Sequence, residues 1–128
     1  MTPELTLLLW STVLTFVLIM IPAGEALRKN GAKAQGGARD NLPEPSIFIK
    51  RATRLYQNML ENMVLFIPLV LITHVTDASN AMTLLGAQIF FYARVAHAMI
   101  YLAGWPMIRP LAWFISVIGM GLIAWQLF

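Results

Sequence analysis

A file of charged and amide side chains runs along Lys50–Asn62, KRATRLYQNMLEN. At about 100° per residue, Arg54, Asn58, Glu61 and Asn62 share one helix face. Arg51 stands on the same stripe a turn earlier, and Gln57 lies at its edge. Ala52, Leu55, Met59, Leu60 and Met63 take the opposite face. A second file follows at Arg94, His97 and Tyr101, whose spacings of three and four also put them on one face. Arginine pairs favour bidentate recognition of carboxylates. Amide, imidazole and phenol groups beside them can hydrogen-bond a peptide-like molecule. Two such files facing each other would frame a cleft for a small anionic, zwitterionic or peptide-like ligand.

Each of these residues also has a structural reading. Lys50 and Arg51 alone would be interface anchors whose stems lie along apolar surface. His97 alone would be a hydrogen-bonded core histidine. Other chemistries find no support in the residue set. His74 and His97 fall on different helices at opposite depths, which makes no metal site. There is no glycine-rich phosphate loop, no Ser-His-Asp set and no paired carboxylates for acid–base work. The chain has no cysteine, so disulfides, zinc–thiolate sites and a cysteine nucleophile are excluded. Any thiol chemistry must use a thiol that a substrate brings.

The elements that carry the two files are apolar. The 128-residue chain is 59% hydrophobic and 12% charged, with a mean hydropathy of +0.70. Soluble domains carry about 25% charged residues, so this composition is that of an integral membrane protein. The net charge of +3 does not point to nucleic acid, because the basic residues cluster beside apolar spans. Leu5–Gly24 is a 20-residue uncharged run, long enough at about 1.5 Å per residue to cross roughly 30 Å of hydrocarbon. A signal peptide is the competing reading, but no basic residue precedes the run and the run is long for one. Arg28–Pro45 reads as a loop rich in breakers and basic groups. A second helix is predicted from about Ser46 to Thr73, a short turn near Thr76–Asn80, and a third helix over Ala81–Ala103. Gly104–Pro110 is a tight connection and Leu111–Phe128 a fourth span. Met59, Met63, Phe66, Phe90 and Phe91 are core or lipid-facing.

Loop one carries four basic residues, Arg28, Lys29, Lys33 and Arg39, the third connection carries Arg109, and the second carries only Asp77. The positive-inside rule then puts residues 28–45 and 104–110 in the cytoplasm and both termini outside. On that topology Glu61 and Arg94 come to similar depth, each roughly ten residues or ~15 Å from its cytoplasmic helix end. An unpaired charge there is costly, so a Glu61–Arg94 ion pair is expected. Nearer the cytoplasm, His97 and Tyr101 come level with Asn58, Arg54 and Arg51.

These residues also carry a resemblance. The pattern R-x-x-R-x-x-x-N-x-x-E, here Arg51, Arg54, Asn58 and Glu61, resembles the second-helix signature of the MAPEG family, the membrane-associated proteins in eicosanoid and glutathione metabolism. Glu61-Asn62, Ala93-Arg94-Val95-Ala96-His97 and Tyr101-Leu102 are similar to its glutathione transferase members. The Pro106-to-Arg109 turn fits the family, and Ala38-Arg39-Asp40-Asn41-Leu42-Pro43 looks like its bacterial members. The resemblance covers essentially the whole chain. It departs in the connection from Tyr101 to Arg109, one residue short, and in Gln57, where some members have arginine.

The resulting expectation is an all-α integral membrane four-helix bundle, a single domain over residues 1–128, placed in a bacterial inner membrane. The resemblance further implies a homotrimer with glutathione bound between subunits at the cytoplasmic side. Arg51, Arg54, Asn58, Glu61, His97 and Tyr101 would contribute to the glutathione pocket, and Arg109 would hold the thiolate as the catalytic residue. The implied activity is a glutathione-dependent transferase or peroxidase acting on lipophilic electrophiles or lipid hydroperoxides. The alternatives are a non-enzymatic lipid-binding or scaffold protein of the same fold and a small transporter subunit. Four spans without inverted repeats or broken helices argue against transport.

Overall fold

A computed structural model of the chain describes residues 1–128. It consists of helices α1 (Pro3–Asn30), α2 (Ala32–Gly36), α3 (Ile47–Val75), α4 (Ala81–Ala103) and α5 (Arg109–Leu127). The four long helices are each long and apolar enough to cross a membrane.

Local sequence explains where they start and stop. The Thr2 hydroxyl accepts from the Leu5 amide at 3.3 Å, and Pro3 fills a first-turn position where no amide proton is needed. The α1 helix runs beyond the expected Leu5–Gly24, because Glu25 and Arg28 pair at 2.6 Å one turn apart and carry it through the charged stretch to Asn30. The predicted loop contains the short α2. Ser46 caps α3 by accepting from the Ile49 amide at 3.2 Å. At 29 residues, α3 is about 43 Å long and outreaches the hydrocarbon core. Asn80 and Thr83 form a reciprocal capping box at the start of α4, and Gly104 ends it in the left-handed region at φ 77°. The last helix begins at Arg109, two residues before the expected Leu111, so Arg109 and Pro110 are its first residues.

Close packing of α4 on α5 depends on two glycines. A Cβ on Gly86 would stand 2.5 Å from the Gly119 carbonyl oxygen, and one on Gly119 would stand 2.6 Å from that of Gly86. In lipid, where burying apolar surface gives helices no net reward, such backbone approach is a main source of association. The α1 helix lies against α3 and α4. Leu55, Met59, Phe66, Val70, Phe90 and Ile123 fill the centre, with Phe66 and Phe90 stacked at 3.9 Å between ring centroids. Phe16, Val64, Leu65, Phe114 and Trp125 point outward. Several hydroxyls within the spans find partners on their own helix, although the buried Ser11 hydroxyl has none. Thr12, Thr15 and Thr73 donate to the carbonyls of Leu8, Ser11 and Leu69 at 2.9, 2.7 and 2.8 Å. Such pairing removes the cost of a bare hydroxyl in hydrocarbon.

The bundle has two unlike ends. The basic end holds α2, residues 37–46 and the α4–α5 connection. At the other end Glu4 is buried, and its Oε1 accepts from Ser79 Oγ at 2.8 Å and Thr83 Oγ1 at 3.1 Å.

Candidate functional site

The polar files of α3 and α4 meet near the basic end, and the start of α5 completes the enclosure. A cavity of about 420 Å³ is lined by Arg54, Gln57, Asn58 and Glu61 of α3, His97 and Tyr101 of α4, and Arg109, Pro110 and Trp113 of α5. Arg54 Nε donates to Tyr101 Oη at 3.3 Å. The Arg109 guanidinium lies over the Tyr101 ring, 4.9 Å from its centroid. Tyr101 therefore touches both cavity arginines, one through its hydroxyl and one through its π face. The His97 and Tyr101 rings lie 5.5 Å apart between centroids. Two guanidinium groups, one carboxylate and two aromatic donors or acceptors thus border one open space, which suits a ligand carrying carboxylates and amides.

Of the residues singled out by sequence, Arg54, Asn58, Glu61, His97, Tyr101 and Arg109 all line this cavity. Arg51 does not. It borders an adjoining hollow of about 410 Å³ with Gly104, Trp105, Pro106 and Met107, and Arg54, Tyr101, Arg109 and Pro110 border both. A Cβ on Gly104 would stand 3.0 Å from the Arg51 Cζ, so the absence of a side chain there makes room for the guanidinium.

The expected Glu61–Arg94 ion pair is not formed. The chain's ion pairs are Arg28–Glu25 and Lys50–Glu44. Arg94 is 1% exposed and turns behind the cavity, where its Nη2 donates to Asn58 Oδ1 at 2.6 Å. Its Nη1 donates to Ser116 Oγ at 3.4 Å, and Nη2 lies 3.4 Å from His97 Nδ1. An arginine can only donate, so His97 presents Nδ1 to it as an acceptor, which puts the ring proton on Nε2. The reason for the exchange of partners is angular. Glu61 is turned about 60° from Asn58 around α3, and Asn62 about 40° the other way. The Asn62 side faces the bundle, with Asn62 buried and donating to the Asn58 carbonyl at 2.9 Å, while Glu61 is left exposed on the cavity rim.

Sequence reading missed the contribution of α5 beyond Arg109. Trp113 lines the cavity, and Ser116 accepts from Arg94 while donating to the Trp113 carbonyl at 2.6 Å. The signal was present: Arg109, Trp113 and Ser116 recur at spacings of four and three, which places them on one face. The sequence matches the MAPEG family over residues 5–128. A search of the curated proteins finds no match.

Proposed function

Since the chain belongs to the MAPEG family, we propose that it is a membrane-bound, glutathione-dependent transferase or peroxidase acting on lipophilic electrophiles or lipid hydroperoxides. The observation that carries this reading is the single cavity bordered by Arg54, Asn58, Glu61, His97, Tyr101 and Arg109. Arg54 takes a glutathione carboxylate. Asn58, Glu61, His97 and Tyr101 hold the peptide part, with Glu61 free on the rim to accept from the ammonium group. Arg109 faces the thiol. A free thiol ionises at about pH 8.5, and a neighbouring guanidinium favours the thiolate. Arg109 is also the first residue of α5, where the unpaired amides of a helix start add to the attraction for an anion. In conjugation the thiol proton leaves to water, the sulfur forms a bond to the electrophilic carbon, and the leaving group departs with its electron pair.

In this reading the working unit is a homotrimer, whose neighbouring subunit covers the open side of the cavity. The basic end faces the cytoplasm of a bacterial cell, with both termini outside. A second reading, a lipid-binding scaffold, draws on an apolar groove of about 390 Å³ between α3 and α5, bordered by Val64, Leu65, Pro68, Val117, Met120 and Ala124. The same groove would serve an enzyme as the approach for a lipophilic substrate.

Calorimetric titration of glutathione into the detergent-solubilised protein separates the two readings, followed by thiolate absorbance and conjugation of a generic aromatic electrophile. Arg109→Ala should retain most glutathione binding and lose the thiolate band, whereas Arg54→Ala should weaken binding first. No binding by the unaltered protein at saturating glutathione would remove the enzyme reading in favour of the scaffold. An intact thiolate band in Arg109→Ala would shift the activating role to Tyr101.

A further inference from the structure

A different cavity opens at the basic end. It has a volume of about 520 Å³, lies between the end of α1, α2 and the residues entering α3, and shares no bordering residue with the candidate site. Ile49, on its wall, stands about 180° around α3 from Asn58. Its cations are Lys29 and Arg39. Neither has a carboxylate partner, since the ion pairs of the chain are Arg28–Glu25 and Lys50–Glu44. The one carboxylate on the wall, Glu44, is therefore already matched: Lys50 Nζ lies 2.6 Å away, and the hydrogen bond from it holds the Glu44 carboxyl below the usual range.

The polar groups around the cavity are pre-set. Arg39 Nε donates to the Gln35 carbonyl at 2.7 Å, which anchors the guanidinium and leaves both terminal nitrogens unbonded. Asn30 Nδ2 donates to Gln35 Oε1 at 2.9 Å, so the Gln35 amide is left with donors to offer. The same cavity is lined by Ala26, Leu42, Pro43, Pro45 and Ile49, apolar groups at and between the ends of two membrane-spanning helices. Free cations and an amide donor beside an apolar wall, at the end of membrane-spanning helices, match the two parts of a phospholipid.

We propose that this cavity binds the phosphate of an anionic phospholipid, with Lys29 and Arg39 as its cationic contacts, Gln35 as an amide donor, and the acyl chains leaving along the apolar wall of Ala26, Leu42, Pro43 and Pro45. Arginine's planar fork meets two phosphate oxygens and lysine adds a point charge. A free phosphate would gain the same polar contacts but nothing from the apolar wall or the neighbouring bilayer, which is why the lipid is the occupant.

Native mass spectrometry of the detergent-solubilised protein tests this, with phosphatidylglycerol, phosphatidylcholine and inorganic phosphate as probes. Phosphatidylglycerol should be retained over phosphatidylcholine. Lys29→Gln and Arg39→Gln should each lower its affinity by roughly fivefold, and Lys33→Gln, which removes a nearby charge outside the cavity, should change it little. Glutathione titration of the same variants should be unaltered, which keeps the result separate from that of the candidate site. Equal retention of the two lipids by the unaltered protein would overturn the proposal, and this comparison needs no variant to fold. An equal loss in Lys33→Gln would overturn it in favour of diffuse charge. Displacement of the lipid by millimolar inorganic phosphate would overturn it in favour of a soluble phosphate ligand.

Discussion

The Arg94 guanidinium and the Asn58 amide oxygen meet at 2.6 Å between α4 and α3, with no carboxylate in the contact. Ser116 brings α5 to the same guanidinium, so one buried cation ties three helices through neutral acceptors. Asn58→Ala removes its shortest bond and should cost roughly 2 kcal/mol, as expected for a hydrogen bond to a charged group. Asn58→Asp places a carboxylate there and should retain or raise stability. Glu61→Gln should fall within about 0.5 kcal/mol of the unaltered protein, because Glu61 is exposed and unpaired. Thermal unfolding in detergent measures all three. A large loss in Glu61→Gln with none in Asn58→Ala would restore the Glu61–Arg94 pairing.

Tyr101 contacts two arginines by different parts of its side chain, and the parts can be removed separately. Tyr101→Phe deletes the acceptor for Arg54 and keeps the ring under Arg109. It should weaken glutathione binding by several-fold through the freed Arg54, while the thiolate band of bound glutathione survives. Tyr101→Ala should lose both. Loss of the thiolate band already in Tyr101→Phe would mean that the hydroxyl itself stabilises the thiolate.

The Gly86–Gly119 approach predicts a sharp positional contrast. Gly86→Ala and Gly119→Ala each press a methyl group into opposing backbone, and overpacking of this kind costs about 1–3 kcal/mol. Gly121→Ala meets nothing within 4 Å and should be neutral or slightly stabilising. Equal melting temperatures for all three would show that α4 and α5 are not in backbone contact.

Gly104 closes α4 at φ 77° and leaves room for Arg51. Gly104→Ala should cost about 1 kcal/mol for the left-handed backbone alone. It should also displace the Arg51 guanidinium, which cysteine-free spectroscopic labelling of the α4–α5 connection would register as a change in mobility. An unchanged melting temperature would indicate that the connection relaxes at no cost.

Because the chain has no cysteine, orientation can be read with single introduced ones. A cysteine at Lys33 should react with an impermeant reagent only after the membrane is opened, and one at Phe128 should react in intact cells. The reverse pattern would invert the proposed topology.

Much of this is legible in the sequence, and each departure has its own physical cause. The bounds Ala81–Ala103 expected from the sequence are those of α4, which Asn80 caps at its start and Gly104 ends. The expected end of α1 falls short of Asn30, because an uncharged run marks where lipid is, and the helix continues past it through the Glu25–Arg28 pair. The residues of the cavity were legible as two stripes. Which edge of the α3 stripe turns inward was not, because a helical wheel shows shared faces but gives no rotation about the helix axis. That rotation put Asn58 in place of Glu61 against Arg94. The third wall, with Trp113 and Ser116, is barely legible in the sequence, because one aromatic and one hydroxyl in an apolar span carry little signal until the partner on another helix is known.

The glycine contact between α4 and α5 bears on how the cavity responds to a ligand. His97 and Tyr101 ride on one of these helices, Arg109 and Trp113 on the other. Backbones seated directly on each other have little freedom to slide, so these four side chains behave as a single stiff jaw whose spacing is set before anything binds. The opposing jaw is α3, with Arg54, Asn58 and Glu61, held across the cavity by side-chain bonds at Arg94 and Tyr101. Within one subunit, widening for a bulkier guest would then fall to rotation or translation of α3. If the cavity takes the proposed ligand, α4 and α5 would hold the aim of Arg109 while α3 adjusts to the guest.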